Sequence, residues 1–447
     1  MSDGIVHSSA FRWRRGLNWF PLGVTYALLY MGRYNLTVAQ GVLGDFISKA
    51  DFGNIFGLGT LVYGVAFLVN GPLTDRMGGK KAILIAAAGS GAMNLAMGLY
   101  VRSVLLTGSG GEQLPYVLAG LYAVNMYFQS FAAVAIVKVN AHWFHVRERG
   151  KFSGIFGIMI SSGIFLAFDV NSRLLKATSG MGEGGVDPKW IVFLAPAALL
   201  AVAFFVELFL LRDRPGQAGF DDFDTGDASS GEDDAPVDSK KLILRILTNP
   251  IILTIAGVEF CTGVLRNGVM HWFRIYAKEQ IAGGVGVAEG WQFALDNWGL
   301  LLMIAGIIGG TVAGFVSDIF FHSRRAPAAG GLYIVLTVCT VGMWLFLENA
   351  WLLVIIVFLM SLCVIGTHGL LSGTATMDFG GRKGAATAVG VIDGFVYLGT
   401  AVQSVSLGFI TTRNWGMWPI FLVPFGVIGV LLLLRIWHAK PGAKGAH

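Results

Sequence analysis

Cysteine is scarce, with three in 447 residues. Cys261, Cys339 and Cys363 each sit inside an apolar run without a paired spacing, so disulfide and metal roles are not expected and they read as small core residues. Charge is scarce too: Asp, Glu, Lys and Arg make up 13% of the chain. At that composition a soluble protein of this length would lack the polar surface to cover itself. Catalytic patterns are missing as well. The histidines are isolated, and no HExxH, GxxxxGK[ST] or Ser/His/Asp arrangement occurs, so neither enzymatic chemistry nor a cofactor is expected. A cleavable signal is also missing. Arg12, Arg14 and Arg15 precede a span far longer than a signal-peptide core, with no small-residue cleavage site after it, so the first span is expected to stay in the membrane.

What is present is apolar. Hydrophobic residues make up 55% of the chain and the mean hydropathy is +0.66. A hydrocarbon core about 30 Å thick needs about 20 apolar residues per helix. That window predicts spans near 18–40, 54–75, 82–101, 115–140, 150–170 and 190–211, then near 250–278, 293–317, 328–346, 350–377, 384–410 and 415–437. The expected fold is an all-α membrane protein of twelve transmembrane helices in two six-helix halves, residues 1–211 and 247–447. Between them, residues 212–246 form a linker whose Asp-, Gly-, Ser- and Pro-rich sequence cannot pack a core and is expected to be flexible and solvated. Glycine is abundant at 62 residues. Gly306, Gly309, Gly310 and Gly314 recur at helical spacing, the pattern of close helix packing in membranes.

The net charge of +5 would suggest nucleic acid in a soluble protein. Here the basic residues sort by loop instead. One side carries Arg12, Arg14 and Arg15, then Arg76, Lys80 and Lys81, Arg147, Arg149 and Lys151, Arg324 and Arg325, Arg382 and Lys383, and Arg435, Lys440 and Lys444. The other has Lys49, Arg102, Arg173, Lys176, Lys189, Lys278 and Arg413. The bias predicts cytoplasmic termini and a cytoplasmic linker.

Two arginines break the apolar runs: Arg33 in TYALLYMGRYNLTVAQ and Arg266 in IAGVEFCTGVLRNGVMHWF. An arginine at the centre of a membrane helix costs about 2.5–3.5 kcal/mol and persists where it faces a polar cavity and finds a partner. Each lies midway into the first span of its half, the placement of paired residues around a midplane site in a two-repeat transporter. The plainer alternative is that each pairs with an internal carboxylate or with carbonyls.

The loop after the second span reads GPLTDRMGGKK, and its counterpart in the second half reads GFVSDIFFHSRR. Asp75, Arg76 and Asp318 are candidates for a latch between helix ends. The first loop strongly resembles the signature loop of the major facilitator superfamily. The stretches YALLYMGRYN, YFQSFAAVAIVKVNAHWFHVRERG, VLRNGVMHWFRIYAKE and RKGAATAVGVIDGFVYLG are similar to the organophosphate/phosphate antiporters, carriers of glycerol 3-phosphate and hexose phosphates. That resemblance implies transport through Arg33 and Arg266, with Tyr26, Tyr30, Tyr63 and Tyr397 lining the site and Lys138 near the end of the fourth span. The chemistry agrees, because two guanidinium forks suit one phosphate and tyrosine hydroxyls complete its shell.

The chain departs from the glycerol-3-phosphate carrier at three positions: Phe67 replaces a lysine, the stretch around Ser161 and Ser162 a histidine, and Met303 a glutamate. Asp296, Asn297, His271, Glu259 and Asp393 are polar groups that would substitute for them or serve packing. The implied function is alternating-access carriage of an organic anion, with a phosphorylated solute exchanged for phosphate. The expected partners are that small anion and the lipid bilayer of a bacterial-type inner membrane; nucleic acid is not one, and the carrier is expected to be a monomer. A proton-coupled sugar-acid or carboxylate carrier is the alternative, since MGRYNLTVA resembles those as well. A lysophospholipid carrier also stays open because Phe67, Phe165 and Phe168 would make an apolar lining. A sensor on a transporter scaffold is the alternative of another class.

Overall fold

A computed structural model describes residues 7–145, 157–182, 185–223, 244, 247–284, 288–321 and 324–439. The expected basic residues Arg147, Arg149, Lys151, Lys440 and Lys444 lie outside that set, as does the linker from 224 to 243. Twelve long helices account for the described residues. In chain order they are α1 (Ser9–Val42), α2 (Lys49–Met77), α3 (Gly79–Thr107), α4 (Leu114–Trp143), α5 (Gly157–Thr178) and α6 (Ile191–Leu210). The second set is α7 (Pro250–Ala282), α8 (Ala288–Phe321), α9 (Arg325–Leu345), α10 (Ala350–His368), α11 (Thr376–Arg413) and α12 (Met417–Arg435). A wider π-helical stretch, Gly369–Ala375, leads from α10 into α11.

Local chemistry starts these helices where it should. Ser48 and Asp51 form a reciprocal capping box at α2. Asn249 accepts from the amides of Ile251 and Ile252, with Pro250 in the first turn of α7. Eleven helices are apolar and long enough to cross a membrane. The exception is α1, which carries Tyr26, Tyr30, Arg33, Tyr34, Asn35, Thr37 and Gln40, all buried. The most polar helix is thus kept inside the bundle.

Packing in the first set recurs in the second. Helix α2 packs on α4, α3 on α4 and α6, and α1 on α6; correspondingly α8 packs on α10, α9 on α10 and α12, and α7 on α12. The sets meet through α2 against α11 and α5 against α8, two contacts that the same six-helix shift interchanges. This is the two-repeat organisation expected from the arginine positions.

Two expectations shift. The fifth span is expected at 150–170; its residues 150–156 lie outside the described set, and at the other end the helix continues to Thr178. Asp169, near the expected end, is fully buried in a π-helical turn, Leu166–Val170, with its charge met by backbone amides of α8. The linker also begins less freely than its composition suggests. Asn18 and Arg212 exchange two hydrogen bonds, Asp213 accepts from the Lys80 amide at 2.7 Å, and Phe220 and Phe223 pack edge-on against Phe11. Two aromatic residues in an otherwise polar stretch suffice to dock its first residues. Of the α8 glycines, Gly306 and Gly309 abut Ser161 and the Leu362 carbonyl, whereas Gly310 and Gly314 face open space.

Candidate functional site

The face of α1 that carries Tyr26, Tyr30 and Arg33 points into the bundle. Arg33 is 0% exposed. Its guanidinium donates from Nε to the Gln129 amide oxygen (2.8 Å), from one terminal nitrogen to the Tyr397 hydroxyl (3.2 Å) and from the other to the Tyr63 hydroxyl (3.0 Å). These partners come from α4, α11 and α2, so one side chain ties both sets of helices. The rings of Tyr30 and Tyr63 lie 4.5 and 4.6 Å from its central carbon, adding cation–π attraction in a dry setting. Behind it the Tyr122 hydroxyl donates to the Arg33 carbonyl, and Asn35, Asn94, Asn125 and Gln129 form a chain of amide hydrogen bonds. That network fixes the Gln129 orientation, and with it the Arg33 fork.

Arg266 is 7% exposed. Its position on α7 is set by contact with α11 so close that a Cβ on Gly263 would lie 1.9 Å from the Val396 carbonyl oxygen, and one on Gly399 would lie 2.1 Å from that of Phe260. Only glycine permits this backbone approach. Arg266 interacts with the phenols of Tyr34, Tyr30 and Tyr397, three residues that also surround Arg33. Among the described residues its Nε has no hydrogen-bond partner, and neither arginine has a carboxylate within ion-pair distance. The groups that contact the two guanidiniums are neutral phenols and an amide, and Glu259 and Asp393 act on Arg266 only from further off. Buried cations whose contacts are neutral offer a favourable place for an anion.

A model of the Major Facilitator Superfamily matches residues 22–404. The chain belongs to that superfamily. A glycerol-3-phosphate transporter of Bacillus subtilis is 24% identical over 435 residues, covering 94% of this chain and 92% of the relative. The membrane sensor protein UhpC of Salmonella typhimurium is 23% identical over 440 residues, covering 94% and 91%. A probable hexose phosphate transport protein of Chlamydia trachomatis is 21% identical over 469 residues, covering 100% and 96%. In fold, the proton:xylose symporter XylE superposes with a TM-score of 0.70 at 12% identity over 97% of each chain. These similarities match the organophosphate transporter group of the superfamily, whose members are transporters and not enzymes.

In this major facilitator, among the described residues, a series of ties between the two helix sets lies at the end away from the linker. Helix α7 breaks at His271, whose Nδ1 lies 2.7 Å from the Thr37 hydroxyl and whose ring packs among Tyr34, Phe56 and Phe168. Further out, Lys49 pairs with Glu279 at 3.1 Å and Lys176 with Asp296. Between these layers α5 is tied to the backbone of α8. Asp169 accepts from the backbone amides of Gly299 (2.7 Å) and Leu300 (2.9 Å), and Arg274 donates to the Leu295 carbonyl and the Ser172 hydroxyl. Gly299 is needed here, since a Cβ would meet the Asp169 carboxylate at 2.8 Å.

Of the residues singled out from sequence, Arg33, Tyr30, Tyr63 and Tyr397 meet directly, and Tyr26 joins edge-on to Tyr30 at 5.2 Å. Lys138 does not join them: it is half-buried more than two turns beyond Gln129 on α4. Arg76 is exposed at the end of α2. The side chains of Asp75 and Asp318 lie outside the described residues. Phe67 packs edge-on against Tyr63 at 4.7 Å, and Ser162 approaches the Met303 sulfur at 4.0 Å, so the three departures all sit near the charged centre or between the halves. Asp296 and Asn297 are spent elsewhere, on Lys176 and on the Phe293 carbonyl. Gln129 and Tyr34 were missed. Gln129 had one available signal: it stands one helical turn after Asn125 inside an apolar run, a polar pair on one face.

Proposed function

We propose that the protein is an antiporter that exchanges a phosphorylated organic solute for inorganic phosphate, with the anion held between Arg33 and Arg266. The observation that carries this is the pair of buried guanidinium groups at equivalent helix positions, sharing Tyr30, Tyr34 and Tyr397, with no carboxylate in ion-pair contact among the described residues. Names of relatives that move glycerol 3-phosphate and hexose phosphate support the solute class. Tyr26, Tyr63 and Tyr397 complete the shell, and Lys138 serves the entrance. The halves are residues 1–211 and 247–447, with the linker 212–246 between them. The carrier works as a monomer in a bacterial-type inner membrane, with both termini and the linker cytoplasmic. Counterflow tests it: proteoliposomes loaded with phosphate take up labelled glycerol 3-phosphate or hexose phosphate, whereas empty ones do not. Equal uptake into empty vesicles argues against exchange. A second reading, a sensor, is favoured by the relative named as one; ligand binding without any counterflow selects it.

Two further outcomes follow from this arrangement. Cysteine labels at Ser229 in the linker and at Ser109 between α3 and α4 react from opposite sides of the membrane; reaction from the same side contradicts the twelve-span topology. Asp75→Asn lowers transport by more than tenfold while leaving anion affinity within about threefold, because a latch at helix ends sets interconversion and not the midplane site. An affinity loss as steep as the rate loss removes the latch.

A further inference from the structure

One buried cluster takes no part in the proposed exchange. Glu259 lies on α7 two turns before Arg266, is 0% exposed, and points one carboxylate oxygen at His368 Nδ1, 2.8 Å away. Its other oxygen has no hydrogen-bond partner. His368 is the last residue of α10, where the helix widens into its π-helical stretch, and its side chain is 24% exposed. Asp393 of α11 accepts from the Ser372 hydroxyl in that stretch. Glu259 and Asp393 both feel the charges of His368 and Arg266, and Glu259 feels that of Asp393. The other titratable neighbours of Glu259 are Cys261 on its own helix and Tyr333 on α9. Tyr333 spends its hydroxyl on Thr262 and the Val258 carbonyl, so neither neighbour neutralises the carboxylates.

Charge arithmetic gives this cluster a role. With both carboxylates ionised and His368 neutral, two negative charges sit beside the single positive charge of Arg266 and oppose an arriving anion. One proton on His368 brings the group to zero net charge, two carboxylates against the imidazolium and Arg266, and so removes one unit of repulsion from the arriving anion. We propose that Glu259, His368 and Asp393 form a proton-binding site that loads together with the anion, so that this carrier takes up one proton with its substrate. The proton comes from water through His368, the most exposed member, and rests between His368 and Glu259; no covalent bond is made or broken. By linkage, the anion raises the proton affinity of the cluster by the factor by which the proton raises anion affinity. A unit charge two helical turns, roughly 10 Å, from the anion at an effective dielectric near 20 alters affinity by about tenfold.

The inference rests on the anion site proposed above, and calorimetry separates the two. Glycerol 3-phosphate is titrated into purified wild type and Glu259→Gln between pH 6 and 8, in buffers of different ionisation enthalpy. The ester's own titration is common to both proteins and cancels in the comparison. Wild type should take up about half a proton more per bound ester than Glu259→Gln at the midpoint of that range, which is what a tenfold coupling gives, and the excess should fade toward pH 6. Its affinity should match that of the variant near pH 6 and fall about tenfold below it at pH 8, since the variant permanently lacks one negative charge. His368→Gln should lose the extra proton as well. If Glu259→Gln does not fold, Asp393→Asn carries the same test. Equal proton uptake and parallel pH profiles in wild type and variants make the cluster a packing pair and overturn the proposal, while leaving the anion site standing. Absence of binding heat in wild type at every pH overturns the anion site, and this coupling with it.

Discussion

Arg33→Lys and Arg266→Lys are each expected to weaken binding of the phosphorylated solute by about 2 kcal/mol or more, close to thirtyfold, the range for a truncated buried charge contact. Lysine keeps the charge but loses the planar fork. At Arg33 that fork is divided among Gln129, Tyr63 and Tyr397, so lysine also releases ties between α1, α2, α4 and α11. At Arg266, Nε has no protein partner, and the loss there falls on the anion. The double variant should be less than additive, because both side chains serve one ligand. Equilibrium binding on the two single variants and the double decides it; wild-type affinity in either single variant, or full additivity, makes that arginine structural.

Asp169→Asn should slow exchange at least tenfold while anion affinity changes by less than threefold. The carboxylate accepts from two adjacent amides of α8 and lies in the field of Arg274. Asparagine offers one acceptor and turns its own N–H donors toward the second amide, leaving a buried donor unsatisfied and Arg274 with Asp296 alone of its two acidic neighbours. Breaking a buried charge interaction of this kind costs about 3–5 kcal/mol. That cost falls on the state in which α5 and α8 are closed on each other, so the equilibrium between carrier states moves while the arginines keep their shell. Paired measurements of exchange rate and of binding check the claim, and an unchanged rate removes Asp169 from the closure.

The helices were legible in the sequence because a bilayer demands a long apolar run, and the repeat was legible because Arg33 and Arg266 interrupt equivalent runs. The phenols at 63 and 397 came through resemblance, and both reach Arg33. Asp169 was hidden for a physical reason: its partners are backbone amides of α8, and a backbone group leaves no mark on residue identity. The same holds for the Gly263–Gly399 approach, which looks like any other pair of glycines until the helices cross. The docked start of the linker depended on Phe220 and Phe223, whose apolar weight was averaged away by the acidic residues around them.

The central claim is that the two buried arginines await a phosphate-bearing anion, and thermal stabilisation of the purified carrier tests it most directly, because a ligand of the native state raises the melting temperature by mass action. Inorganic phosphate, glycerol 3-phosphate and hexose phosphates should each raise it, and the rise should vanish in the Arg33→Lys, Arg266→Lys double variant. Glycerol and free hexoses should leave it unchanged. Stabilisation by sugar acids or lysophospholipids with no response to phosphate or its esters would contradict the account.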